Sequence, residues 1–258
     1  MLFRTVYGAE LDPIFQFIHC SLNPVSKSEI YGSFIPRSAG TSNGSNQNVD
    51  DALSFLKSAK LIDEVDGEFS STKVSDYPFR LQLLQNLNAI SRKSLTGLDE
   101  KDYLYFYLLD NLFIKPNKLF EMNLHKSINR LPDVIAVNGL SKEKIQSWKR
   151  VMTYLGIGYR ISSGFQCVFT PSLLREVIES WDKEEGNLQD FLENHVNKFL
   201  PIHTNRGDLS SSASESLLYL AKNGEIRLEA RQDSPTKPYF GKLGYRFVAR
   251  LGEKNERN

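Results

Sequence analysis

The chain has 258 residues, 40% of them hydrophobic and 24% charged, with a formal net charge of +1. This composition, rich in Phe and Tyr, excludes general disorder, and no apolar run approaches the roughly 20 residues of a membrane-spanning helix. Two cysteines, Cys20 and Cys167, are too few for a disulfide framework and fit a reducing compartment with both thiols buried, so a cytoplasmic location without a membrane is expected. The charge is uneven: residues 1–80 hold 7 basic and 10 acidic groups, residues 81–180 hold 13 and 9, and the rest balance. A polyanion would favour the middle.

In chain order, Asp12-Pro13 opens a helix through Cys20, and Ser26-Lys27-Ser28-Glu29 is a capping box that starts a second one. A polar stretch, Arg37–Asn48, rich in Gly, Ser and Asn, predicts a mobile loop. Val49, Ala52, Leu53 and Leu56 recur at helical spacing, and a hairpin follows with its turn at Asp66-Gly67. Further helices are expected over 98–113, 118–131 and 141–155, the last with Ile145, Trp148, Met152 and Leu155 inward. A second hairpin turns at Ser163-Gly164. Thr170-Pro171 caps a helix through Trp181, residues 188–200 form the next, and Ser212-Ala213-Ser214-Glu215 reads as another capping box. Ile226, Leu228 and Ala230 alternate with Arg227, Glu229 and Arg231 in a strand whose return partner is expected over 245–251.

One spacing recurs. An aromatic-Leu pair late in a helix is followed, six residues after the Leu, by an Ile expected to open a strand: Phe55-Leu56 to Ile62, Tyr154-Leu155 to Ile161, and Tyr219-Leu220 to Ile226. The expected fold class is therefore mainly α with short β-hairpins (α+β), in three units over residues 1–78, 79–171 and 172–258.

Helices followed by a two-stranded wing resemble the winged-helix family, a branch of the helix-turn-helix proteins. The stretches Ser26–Phe69, Lys118–Phe169 and Leu188–Leu251 carry the resemblance, which rests on pattern because the family has no invariant signature. It implies tandem winged-helix domains, with the third helix of a unit in a DNA major groove and the wing beside it, although many members pair only with proteins. The long Arg37–Asn48 stretch and the extended third wing, Asp233–Lys242, depart from the family pattern.

The helix over 141–155 is the first candidate for nucleic acid. Lys142, Gln146, Lys149 and Arg150 are read as its outward face, with Arg160 at the start of the wing, and cations with an amide suit phosphates and base edges. Arg231, Lys237 and Lys242 in the last wing are the second, near Tyr239 and Phe240. Asp50 and Asp51 would repel phosphate, so residues 1–78 point instead to a protein partner or a structural role. The expected function is non-enzymatic binding of nucleic acid, with double-stranded DNA ahead of RNA; the alternative is a protein-binding scaffold in a multi-protein assembly. Neither a catalytic site nor a cofactor is expected. His19, His125, His195 and His203 are scattered without metal-ligand spacing, Glu229-Ala230-Arg231 has only the outline of a nuclease strand, and Gly156-Ile157-Gly158 lacks the rest of a phosphate loop and reads as a helix stop.

Overall fold

The computed structural model describes residues 1–35, 46–72, 76–92, 101–232, 237, 239–240 and 244–251. The fold is mixed α+β with small antiparallel sheets. Two compact units form: one comprises Met1–Tyr107 with His125–Leu155, the other Leu108–Leu124 with Gly156–Asn258. Residues 79–171 contribute to both.

The first unit begins with α1 (Leu11–His19), β1 (Val25–Ser26), α2 (Lys27–Phe34), α3 (Gln47–Ser58), β2 (Ile62–Val65) and β3 (Glu68–Ser71). The Ser26 capping box forms as expected: its hydroxyl accepts from the Glu29 amide, while the Glu29 carboxylate accepts from the Ser26 amide. Val49, Ala52, Leu53, Phe55 and Leu56 are buried on α3, the apolar stripe read from the sequence. The β2–β3 turn holds Asp66 at φ 53° and Gly67 at φ 82°, the left-handed pair that matches the twist of a two-residue hairpin. Then come α4 (Phe79–Ser91), which sequence reading missed, and the start of α5 (Leu104–Leu109). The unit closes with α6 (Leu124–Ile128) from His125 on, α7 (Pro132–Ala136) and α8 (Lys142–Tyr154), whose N-terminus is capped by Ser141. Its aromatic core joins Phe3, Phe55, Tyr105 and Trp148; the Trp148 Nε1–H donates to the Tyr105 carbonyl at 2.7 Å.

The second unit takes the end of α5, its π-helical continuation Asp110–Ile114, and β4 (Phe120–Glu121). There follow β5 (Tyr159–Ile161), β6 (Gly164–Gln166), α9 (Pro171–Glu179) and β7 (Glu185–Asn187). The helical stretch after it runs through α10 (Leu188–Asp190), a π-helical segment Phe191–Val196 and α11 (Asn197–Phe199), before α12 (Ser211–Lys222), β8 (Ile226–Glu229) and β9 (Phe247–Arg250). Phe113 meets Phe165 edge-on, and Trp181, Phe191, His195 and Phe199 form a second aromatic cluster.

Three sheets share one plan. Their orders are β1-β3-β2, β4-β6-β5 and β7-β9-β8, each antiparallel, with a short lead strand and a later hairpin whose last strand lies in the middle. The lead strands are two or three residues long, too short to show as alternation in sequence.

Several expectations are corrected. The helix expected over 118–131 is β4 followed by the short α6, since Phe120 and Glu121 pair with Gln166 and Phe165. The second turn lies at Ser162-Ser163, because Gly164 already pairs with Ile161. The Ser212 capping box does not form; α12 starts two residues earlier, after Ser210, and the Ser212 hydroxyl instead donates to the Cys167 carbonyl at 2.7 Å. Cys20 is exposed, whereas Cys167 is buried and its thiol pKa is pushed up to about 12 by desolvation. Most of the Arg37–Asn48 stretch lies outside the described residues, but Gln47 and Asn48 already belong to α3. The expected helix start near Leu98 also lies outside them.

The recurring Leu-to-Ile spacing is out of register in the middle repeat. Two residues beyond the last residue of α3, α8 and α12 stands a residue of positive φ, Lys60 at 59°, Gly156 at 77° and Gly224 at 73°. This left-handed cap reverses the chain into the hairpin. Aligned on it, Ile62 and Ile226 correspond to Gly158, while Ile161 corresponds to Val65. Ile62 and Ile226 are accordingly buried, and Ile161 and Val65 are exposed.

Candidate nucleic-acid interface

On α8, Lys142 and Gln146 are exposed and Arg150 is half-buried. Lys149 is 1% exposed and belongs to the interior. The helix geometry explains why: Lys149 stands four residues after Ile145 and three before Met152, hence on the apolar side rather than opposite it. Arg150 stacks over the Tyr7 ring at 4.4 Å, which engages its guanidinium within the same unit. Trp148 is fully buried, as its place in the apolar stripe implied. What α8 offers a ligand is thus Lys142, Gln146 and the outer edge of Arg150, with Glu143 exposed beside them.

In the second unit the expected cations are mostly engaged. Arg231 donates to Glu229 at 2.6 Å and lies 3.4 Å over the Phe247 ring. The Lys237 ammonium donates to the Gly207 carbonyl and sits near the Tyr239 ring. Lys242 lies outside the described residues. Arg160, on β5, is exposed and among the described residues forms no ion pair or side-chain hydrogen bond. The four residues on α8 belong to one unit, and Arg160, Arg231 and Lys237 to the other.

A cleft of about 740 Å³ in the second unit is lined by Arg175, Glu179, Glu184, Glu225 and Arg250 among others. Arg175 forms a two-point bond with Glu225 at 2.6 and 2.8 Å, and Arg250 donates to the Glu179 carbonyl at 3.1 Å. With its cations so held among three carboxylates, this cleft does not favour a polyanion. Among the described residues no group of three or more His, Cys, Asp or Glu side chains is placed to hold a metal ion, and no helix is long and apolar enough to cross a membrane. His195 is buried and bonded to the Val177 carbonyl at 2.7 Å, and desolvation holds its pKa below the ordinary value.

Sequence reading missed the outer face of the second sheet. Phe120 and Tyr159 both stand opposite Gln166, so the three side chains form one row on one face. Ile161 stands opposite Gly164 in a row two positions along, on the same face. Met122 follows β4 toward the hairpin tip, where its carbonyl accepts from the Ser163 hydroxyl at 3.1 Å. A Cβ on Gly164 would lie 3.1 Å from the Phe120 ring and 3.0 Å from the Met122 Cα, so the bare glycine lets these residues close over the centre of the sheet. Phe120, Met122, Tyr159 and Ile161 remain 36%, 60%, 47% and 43% exposed. The intervening row lies on the opposite face, with Phe165 buried between half-buried Glu121 and exposed Arg160. The signal was the alternation Phe120-Glu121-Met122, masked by reading that segment as helix.

No family model, curated protein or solved structure matches the chain.

Proposed function

We propose that the chain is a non-enzymatic scaffold of tandem winged-helix units whose principal partners are proteins. The recurring order of lead strand, helices and hairpin supports the winged-helix reading, with three repeats over residues 1–78, 79–171 and 172–258. The carrying observation for protein docking is the outer face of the second sheet, where four large apolar side chains are exposed together. Such a patch costs free energy in water and marks a surface that a partner covers. The first repeat agrees with this reading: Asp50 is bonded to Lys27 at 2.8 Å and to the Tyr31 hydroxyl at 2.5 Å, and buried Asp51 lies near Arg4. An acidic, internally satisfied third helix is poorly suited to phosphate.

Double-stranded DNA is the second reading, favoured by Lys142 and Gln146, which share the solvent face near the N-terminus of α8. Titrating mixed-sequence duplex at about 50 and about 200 mM salt separates the two readings. A scaffold binds duplex no more tightly than the non-specific range of about 10⁻⁴–10⁻⁶ M, with no change in Lys142→Ala/Gln146→Ala. Tighter binding whose log-log salt slope drops by about 0.9 on losing Lys142 would overturn the scaffold reading in favour of DNA.

A further inference from the structure

We infer that the free edge of β5 binds an extended segment of a partner protein with an acidic residue between two apolar ones, added as a fourth strand to the second sheet. The inference rests on the scaffold reading and specifies its ligand. In the order β4-β6-β5, no described strand lies beyond β5. The two-residue turn Ser162-Ser163 closes on Ile161 and Gly164, which are therefore a hydrogen-bonded pair. Because such pairs alternate along an antiparallel ladder, Tyr159 is hydrogen-bonded to Gln166, and Arg160 opposite Phe165 is not. The Arg160 N–H and C=O thus point away from β6, toward the open edge.

An incoming antiparallel strand exchanges both backbone hydrogen bonds with Arg160, which fixes its register. The residue opposite Arg160 shares that residue's face of the sheet; its two neighbours fall beside Tyr159 and Ile161 on the other face. Tyr159 and Ile161 are exposed and apolar and extend into the Phe120 and Met122 patch, so both neighbours are apolar. Arg160 is the charged exception. At the far side of its row Glu121 is already neutralised by Lys118, while Arg160 has no counterion among the described residues. A carboxylate opposite it supplies one, and the planar guanidinium is suited to donate to both its oxygens.

The test uses the full chain and fluorescein-labelled heptapeptides, read by anisotropy: Ser-Thr-Val-Glu-Val-Thr-Ser, the same peptide with Lys for Glu, and the Glu peptide N-methylated at Glu to remove the central amide donor. The first should bind at least tenfold more tightly than either of the others, and Arg160→Glu should reverse the Glu-over-Lys preference while leaving the far-ultraviolet circular dichroism unchanged. Equal binding of the three peptides, an unaltered preference in Arg160→Glu, or no binding at millimolar concentration would each overturn the inference. The duplex titration on the same protein keeps the two failures apart. A failed peptide series with weak, Lys142-independent duplex binding removes only the β5 site, whereas tight Lys142-dependent duplex binding removes the scaffold reading itself.

Discussion

Replacing Trp148 tests the packing of the first unit. Its indole is fully buried on α8, and its Nε1–H donates to the Tyr105 carbonyl at 2.7 Å, beside the Phe3–Tyr105 and Phe55–Tyr105 ring contacts. Emptying a buried aromatic site costs about 3–5 kcal/mol, so Trp148→Ala should lose that much, a large part of the 5–15 kcal/mol that typically holds a domain folded. Trp148→Phe keeps much of the ring but removes the donor; leaving the Tyr105 carbonyl short of a partner costs about 1–3 kcal/mol. Urea unfolding followed by circular dichroism measures both, and Ala should be the worse by about 2 kcal/mol, the difference between these ranges. The sequence holds two tryptophans, so in a Trp181→Phe background the fluorescence reports Trp148 alone. A cost for Ala below about 1 kcal/mol, or iodide quenching of Trp148 in the folded protein, would refute this account of the core.

Lys149→Glu should destabilise the fold rather than change ligand binding, because it places a carboxylate at a 1% exposed position; a variant as heat-stable as the parent contradicts the burial argument. Ser212→Ala should cost about 1–3 kcal/mol by orphaning the buried Cys167 carbonyl, whereas Glu215→Ala, exposed on α12, should stay within about 0.5 kcal/mol; denaturant midpoints reversing that order would restore the capping box. The Arg175 guanidinium holds the Glu225 carboxyl below its ordinary range. A depressed carboxyl pKa contributes stability above its unfolded value, near 4.3, and loses it as pH falls through the folded value. Arg175→Met should therefore be less stable than the parent at neutral pH, by under about 1 kcal/mol for a pair this exposed, and the two stability curves should converge below about pH 4; a constant offset down to about pH 3 would argue against the linkage.

Much of the local structure was legible because it depends on neighbours in the chain. The Ser26–Glu29 capping box, the Thr170 cap and the Asp66-Gly67 turn formed where side-chain chemistry within four residues placed them. The apolar stripes of α3 and α8 were legible for the same reason. Even the interior place of Lys149 was available, since its spacing from Ile145 assigns it to the buried side; residue type was given more weight than position. By contrast, Phe120-Glu121 is a strand only because Gln166 and Phe165, more than forty residues later, complete its hydrogen bonds. Ser212 has the makings of a cap, yet the buried Cys167 carbonyl across the fold takes its hydroxyl. The true register of the repeats likewise depends on the left-handed residues at Lys60, Gly156 and Gly224 rather than on the recurring leucines. The sequence by itself therefore determined the Ser26 and Thr170 caps, the apolar stripes of α3 and α8 and the first hairpin turn. Only the tertiary structure decided which strands pair, which cations stay free and which apolar side chains are left in water, because each depends on partners distant in the chain.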